Sequence, residues 1–129
     1  MSDRVALNAA GVPDPIGPYS HAVRHGEVLY CTGQLPMDPA SGAIVADGPA
    51  EQARRCLENL ELVCAAAGTS LERAIRIGIF MTDLAGFPAV NEVYGQFFSQ
   101  APPARTTVGV VALPLGAEVE MDAVIALAG

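Results

Sequence analysis

"ARTTVGVVALPLGAEVEMDAVIA" (Ala104–Ala126) is the stretch on which the fold turns. Its first half reads as a buried strand, Arg105–Ala112, yet that strand opens on arginine, a costly cation to desolvate without a partner. Its second half, Glu118–Leu127, is another strand, with Glu118, Glu120 and Asp122 at every other position. Successive side chains of a strand point to opposite faces, so these carboxylates share one side.

Working back from this stretch, Phe87–Ser99 reads as a helix with Pro88 in its first turn and Val90, Tyr94, Phe97 and Phe98 as its apolar stripe. Ala74–Met81 alternates, with Ile75, Ile77, Ile79 and Met81 on one face and Arg76, Gly78 and Phe80 on the other. Ala53, Leu57, Leu60, Cys64 and Ala67 recur at steps of three and four, a second helix. Gly48-Pro49 suits its start, with Asp47 or Gly48 as cap, and Gly68 suits its stop. Pro36–Pro49 reads as a long surface loop. Ser20–Arg24 and Val28–Gly33 flank a hairpin turn at His25-Gly26-Glu27, and everything before Pro18 reads as an extended arm.

The order strand, strand, helix, strand, helix, strand, strand describes an α+β domain over residues 1–129, with two helices packed on one face of a sheet. Two helices leave the other face bare. Alternation sets Thr106, Val108, Val110 and Ala112 on one side of their strand and Arg105, Thr107, Gly109 and Val111 on the other. Grouped with Arg76, Gly78 and Phe80, the latter make a second face that is small and apolar, as expected of one covered by another subunit.

The 129 residues carry a net charge of −7, fourteen acidic against seven basic side chains. No basic cluster exceeds Arg54-Arg55, which disfavours nucleic acid as a partner. Apolar runs are broken well short of the roughly 20 residues a membrane helix needs, and the N-terminus lacks a secretory core. Cys31, Cys56 and Cys64 have no CxxC spacing and read as packing residues. These features point to the cytosol.

Arg105 has a planar fork suited to a carboxylate, or to a structural ion pair. Glu120, between Val119 and Met121, is the acid whose burial would raise its pKa and make it a proton carrier; otherwise the three acids are a solvated strand face. Tyr19 stands at a strand entrance, where a phenol serves a ligand or the structure. His21 and His25 lack companions for a metal site. A hairpin of the last two strands with apolar faces aligned sets Val111 opposite Glu120 and leaves Arg105 about 20 Å away. The two meet only if another strand intervenes, a bulge shifts the pairing, or they come from different subunits.

Ile16-Gly17-Pro18-Tyr19-Ser20, Thr32-Gly33-Gln34-Leu35-Pro36, Pro103-Ala104-Arg105-Thr106-Thr107-Val108 and Val119-Glu120-Met121 together resemble the RidA/YjgF family of reactive imine and enamine deaminases. The resemblance runs from about Pro15 to Ala126. It implies a chorismate-mutase-like fold with a mixed β-sheet, and a homotrimer whose sheets form a barrel with active sites between subunits. It further implies hydrolysis of 2-imino acids, such as 2-iminobutanoate and 2-iminopropanoate, to 2-keto acids and ammonia, without metal or organic cofactor. The imines would come from pyridoxal-phosphate dehydratases acting on threonine and serine. By the same resemblance Arg105 clamps the substrate carboxylate and Glu120 orients or activates water. Tyr19, Thr32, Gly33 and Asn91 line the pocket.

Thr107 and Thr32 depart from the cysteine and serine often found at their positions, and the Asn91–Arg105 stretch is shorter than in the best-known deaminases. Thr107 is expected to tune specificity. Rival readings are a pathway-specific deaminase of a larger enamine, of aminomuconate or aminoacrylate type, and a non-catalytic carboxylate-binding or chaperone-like trimer. Ribonuclease activity, attributed to some members, is opposed by the acidic composition.

Overall fold

A computed structural model describes residues 3–127. Its strands are β1 (Val5–Leu7), β2 (Ala22–His25), β3 (Val28–Gln34), β4 (Ala74–Met81), β5 (Ala104–Gly109) and β6 (Val119–Ala126). Its helices are α1 (Pro49–Ala66) and α2 (Phe87–Phe97). All six strands join one mixed sheet in the order β1-β2-β3-β6-β4-β5, with β4–β5 the parallel pair. Among the described residues no helix is long and apolar enough to cross a membrane.

The local rules held where the signal was local. Pro49 starts α1 after Gly48, whose φ of 95° rules out a side-chain cap from an ordinary residue there. Gly68 (φ 79°) ends it: Gly68 N–H donates to Ala65 O at 3.1 Å and Thr69 N–H to Cys64 O at 3.0 Å, a Schellman motif. Between these stops Ala53, Cys56, Leu57, Leu60, Val63 and Cys64 are buried against Ile77, Ile79, Met121 and Ile125 of the sheet. Truncating a side chain such as Met121 here would cost about 2–5 kcal/mol. The three cysteines are all free and buried.

Of the arrangements open to the last two strands, a strand intervenes: both edges of β6 are taken by β3 and β4, leaving β5 only the free edge of β4. Several expectations need correction. β5 stops at Gly109, and Val111 is fully exposed. The register also reverses the expected faces of β5. Arg105 pairs with Ile77 and Thr107 with Ile79, so both point to the helix side, while Thr106 and Val108 join Gly78 and Phe80 on the open side. Ile75 is 47% exposed, since a bulge between Ala74 and Arg76 takes it out of the alternation. The arm contributes a three-residue edge strand, β1. β2 begins two residues later than expected, and α2 ends two residues earlier, at Phe97.

The open face carries Tyr30, Val124, Phe80, Val108 and the Arg76–Asp122 pair, whose Nη1 and Oδ1 are 3.6 Å apart. Neither helix packs on it, and Tyr30 is half exposed.

Candidate active site

A bulge makes the first half of the site. Between Cys31 and Gln34 the β3 backbone slips against β6, so Thr32 and Gly33 swing out beside the start of β6. With the arm they wall a cleft of about 310 Å³, lined by residues that include Asp14, Ile16, Tyr19, His21, Thr32, Gly33, Pro114 and Glu120. Gly33 has a physical reason to be glycine. A Cβ there would stand 2.6 Å from Glu120 Oε2, so the carboxylate would have to move aside. The carboxyl lies across the bare backbone.

Burial pushes the Glu120 pKa up, and the neighbouring charge of Asp122 adds to the shift. Such an acid exchanges protons nearer neutral pH than an exposed one. Tyr19 is partly exposed, and its phenol oxygen accepts from Ile16 N–H at 3.1 Å. Its own O–H is left to donate outward.

The second half stands on β5 and α2. Phe87, Asn91 and Tyr94 recur at four and seven residues along α2 and so share one face of that helix. The parallel register delivers Arg105 to that face. Its guanidinium carbon sits 4.8 Å from the Tyr94 ring centre and 5.2 Å from that of Phe87, and Nη1 donates to Asn91 Oδ1 at 2.7 Å. Cation–π contact at an exposed site is worth about 0.5–1 kcal/mol. Two rings and an amide hold the fork still. Among the described residues no carboxylate forms an ion pair with it. The Thr107 hydroxyl, two residues along the same face of β5, and the Tyr94 hydroxyl are both buried without a hydrogen-bond partner. Burial raises the Tyr94 pKa, against the pull of the Arg105 charge.

The seven residues singled out from the sequence therefore fall into two groups. Tyr19, Thr32, Gly33 and Glu120 form one, and Asn91, Arg105 and Thr107 the other. Glu120 pairs with Phe80 across β4, whereas Arg105 pairs with Ile77 on the opposite side of the sheet. Two strand spacings and three residues of offset set their backbones roughly 14 Å apart, with side chains leaving different faces. A small molecule cannot touch both within one copy. Phe87 and Tyr94 went unrecognised as ring supports, because an apolar stripe at helical spacing looks the same whether it meets a core or a cation.

The family model for Endoribonuclease L-PSP matches residues 10–127. Protein DfrA of Myxococcus xanthus is 47% identical over 123 residues, spanning 94% of each chain. The human 2-iminobutanoate/2-iminopropanoate deaminase is 39% identical over 121 residues, spanning 94% of this chain and 88% of that one. Among solved structures, the YjgF gene product of E. coli superposes with a TM-score of 0.90 at 33% identity, covering 95% of this chain and 98% of its own.

Proposed function

The chain belongs to the Endoribonuclease L-PSP family, that of the RidA and YjgF proteins, and on that premise we propose that it is a cytosolic hydrolytic deaminase of small 2-imino acids. The observation that carries this reading is Arg105, a guanidinium braced by Phe87, Tyr94 and Asn91 and in no ion pair with a carboxylate among the described residues. Asn91 engages Nη1 alone, so the fork keeps two parallel N–H donors for an incoming carboxylate. Relatives named as imine deaminases support the same class of reaction.

The chemistry asks little of the protein once the substrate is fixed. The carboxylate lies on Arg105, with C2 and its imine nitrogen directed toward Glu120. Water adds through oxygen to C2 of the protonated imine (C=NH2+) as the Glu120 carboxylate takes its proton, giving a neutral carbinolamine. The proton passes from Glu120 to nitrogen, the C–N bond breaks, and ammonia leaves with the bonding pair. Loss of the hydroxyl proton leaves the 2-keto acid. Tyr19 donates to the substrate at the cleft mouth, and Thr32, Gly33 and Thr107 shape the wall.

Since the two groups leave opposite faces of the sheet, the working site is composite. The β5 edge of one copy, bearing Arg105, covers the Glu120 cleft of the next. A homotrimer, closed by the three open sheet faces, supplies three such sites. RNA is a poorer substrate for a chain with fourteen acidic and seven basic residues.

The test is a coupled assay in which a pyridoxal-phosphate dehydratase acts on threonine and 2-ketobutanoate and ammonia are followed. Addition of this protein should speed both. An unchanged rate at micromolar protein would remove the deaminase reading in favour of a carboxylate binder. A larger enamine acid is the second reading, raised by the altered lining at Thr32 and Thr107. A panel including aminomuconate- and aminoacrylate-type enamines separates the two.

A further inference from the structure

The segment between β1 and β2, residues 8–19, forms the outer wall of the Glu120 cleft through Pro13, Asp14, Ile16 and Tyr19. It contains no strand or helix. Ala9 and Val12 tuck two small side chains into the core. Beyond that, among the described residues, every hydrogen bond that ties it to the sheet runs through His21. Ala9 N–H donates to His21 Nδ1 at 2.9 Å, the His21 ring nitrogen Nε2 meets Pro13 O at 2.8 Å, and His21 N–H donates to Asn8 Oδ1 at 3.0 Å. On its other side His21 O accepts from Thr32 N–H at 2.9 Å, joining the latch to the bulge beside Glu120.

The partners dictate the tautomer. A backbone N–H can only donate and a carbonyl can only accept, so Nδ1 is bare and Nε2 carries the proton. The ring is 2% exposed although it stands in a cleft wall. Pinning Pro13 sets the turn that follows, in which Ile16 N–H holds the Tyr19 phenol oxygen at 3.1 Å. We propose that His21 is a positioning residue, a neutral two-ended latch that holds the 8–19 arm against β2 and β3 and thereby presents Tyr19 to the ligand. Its consequence for turnover rests on the deaminase reading above; its consequence for the arm does not.

H21L removes both ring contacts, while H21Q can restore them with an amide oxygen for Ala9 N–H and an amide N–H for Pro13 O. Amide hydrogen exchange should quicken in residues 8–19 of H21L, with β3, β6 and α1 unchanged, and return toward wild type in H21Q. In the dehydratase-coupled assay, H21L should raise KM roughly tenfold or more with kcat little changed, and H21Q should recover most of the loss. Unchanged exchange in residues 8–19 overturns the latch, and so does loosening spread evenly over the fold. If H21L does not fold, H21N, whose shorter amide cannot span both ring contacts, is judged by the same exchange pattern. Exchange confined to 8–19 without measurable deamination keeps the latch and sinks the deaminase reading; the converse does the opposite.

Discussion

Arg105 and Glu120 leave opposite faces of the same sheet, three residues out of step along the single strand, β4, that separates them. In the proposed reaction each serves the ligand from its own half-site, and neither half is complete alone. Their separation governs what each substitution should do.

Arg105→Lys keeps the charge and loses the fork. A charge-assisted hydrogen bond is worth about 1.5–3 kcal/mol, so deamination should fall by roughly one to two powers of ten for each bond lost. Melting temperature and the mass from light scattering should not move. A variant that melts early at unchanged specific activity would return Arg105 to a structural role.

The pH profile follows from Glu120. In the proposed reaction its carboxylate is the working form, and burial, then Asp122, raises its pKa. Activity should therefore fall as pH drops through a value above the ordinary glutamate range. Asp122→Asn removes a negative neighbour and eases ionisation, so the acid limb should shift to lower pH, with the plateau unchanged. Burial remains, so the shift is partial. A limb that moves upward, or not at all, would show that another group titrates there.

Gly33→Ala places a methyl 2.6 Å from Glu120 Oε2. The flexible carboxylate must move, and misplacement on the scale of an ångström costs about a hundredfold in rate. Gly33 has no positive φ, so alanine fits its backbone and should leave stability level or raised by about 0.4–1 kcal/mol. Full activity in this variant would detach the Glu120 position from catalysis.

Thr107→Val should retain part of the rate and lose no stability, because the buried hydroxyl has no partner to lose. Thr107→Cys should change the ratio of rates on 2-iminobutanoate and 2-iminopropanoate, measured in competition. If Thr107→Val is as inactive as Arg105→Lys, the hydroxyl takes part in the reaction.

What could be read from the sequence was what neighbours along the chain decide. The 53–64 spacing of α1, its Gly48-Pro49 start and Gly68 stop, and the Ile77, Ile79, Met81 face of β4 all followed from local period and turn chemistry. The partner of β5 did not. Val110, Val111 and Ala112 prolong an apolar run past the strand's end, and register depends on which sheet edge is free, a long-range fact. An error of one residue in that register carried Arg105 and Thr107 to the wrong face. The bulge at Ile75 and the one between Cys31 and Gln34 were hidden for the same reason. His21 was visible only as a lone histidine, because its partners are backbone atoms of the arm.

The most direct measurement uses two inactive proteins. Arg105→Ala retains a competent Glu120 cleft, and Glu120→Gln retains a competent Arg105. Each should be inactive alone as a homo-oligomer. The two are then co-expressed with different tags, and mixed oligomers are purified through both. A composite site draws Arg105 from one copy and Glu120 from its neighbour, so each mixed trimer holds one competent site of three and should show about one third of wild-type deamination. Mixed oligomers of verified composition that stay as inactive as their parents would contradict a site shared between copies.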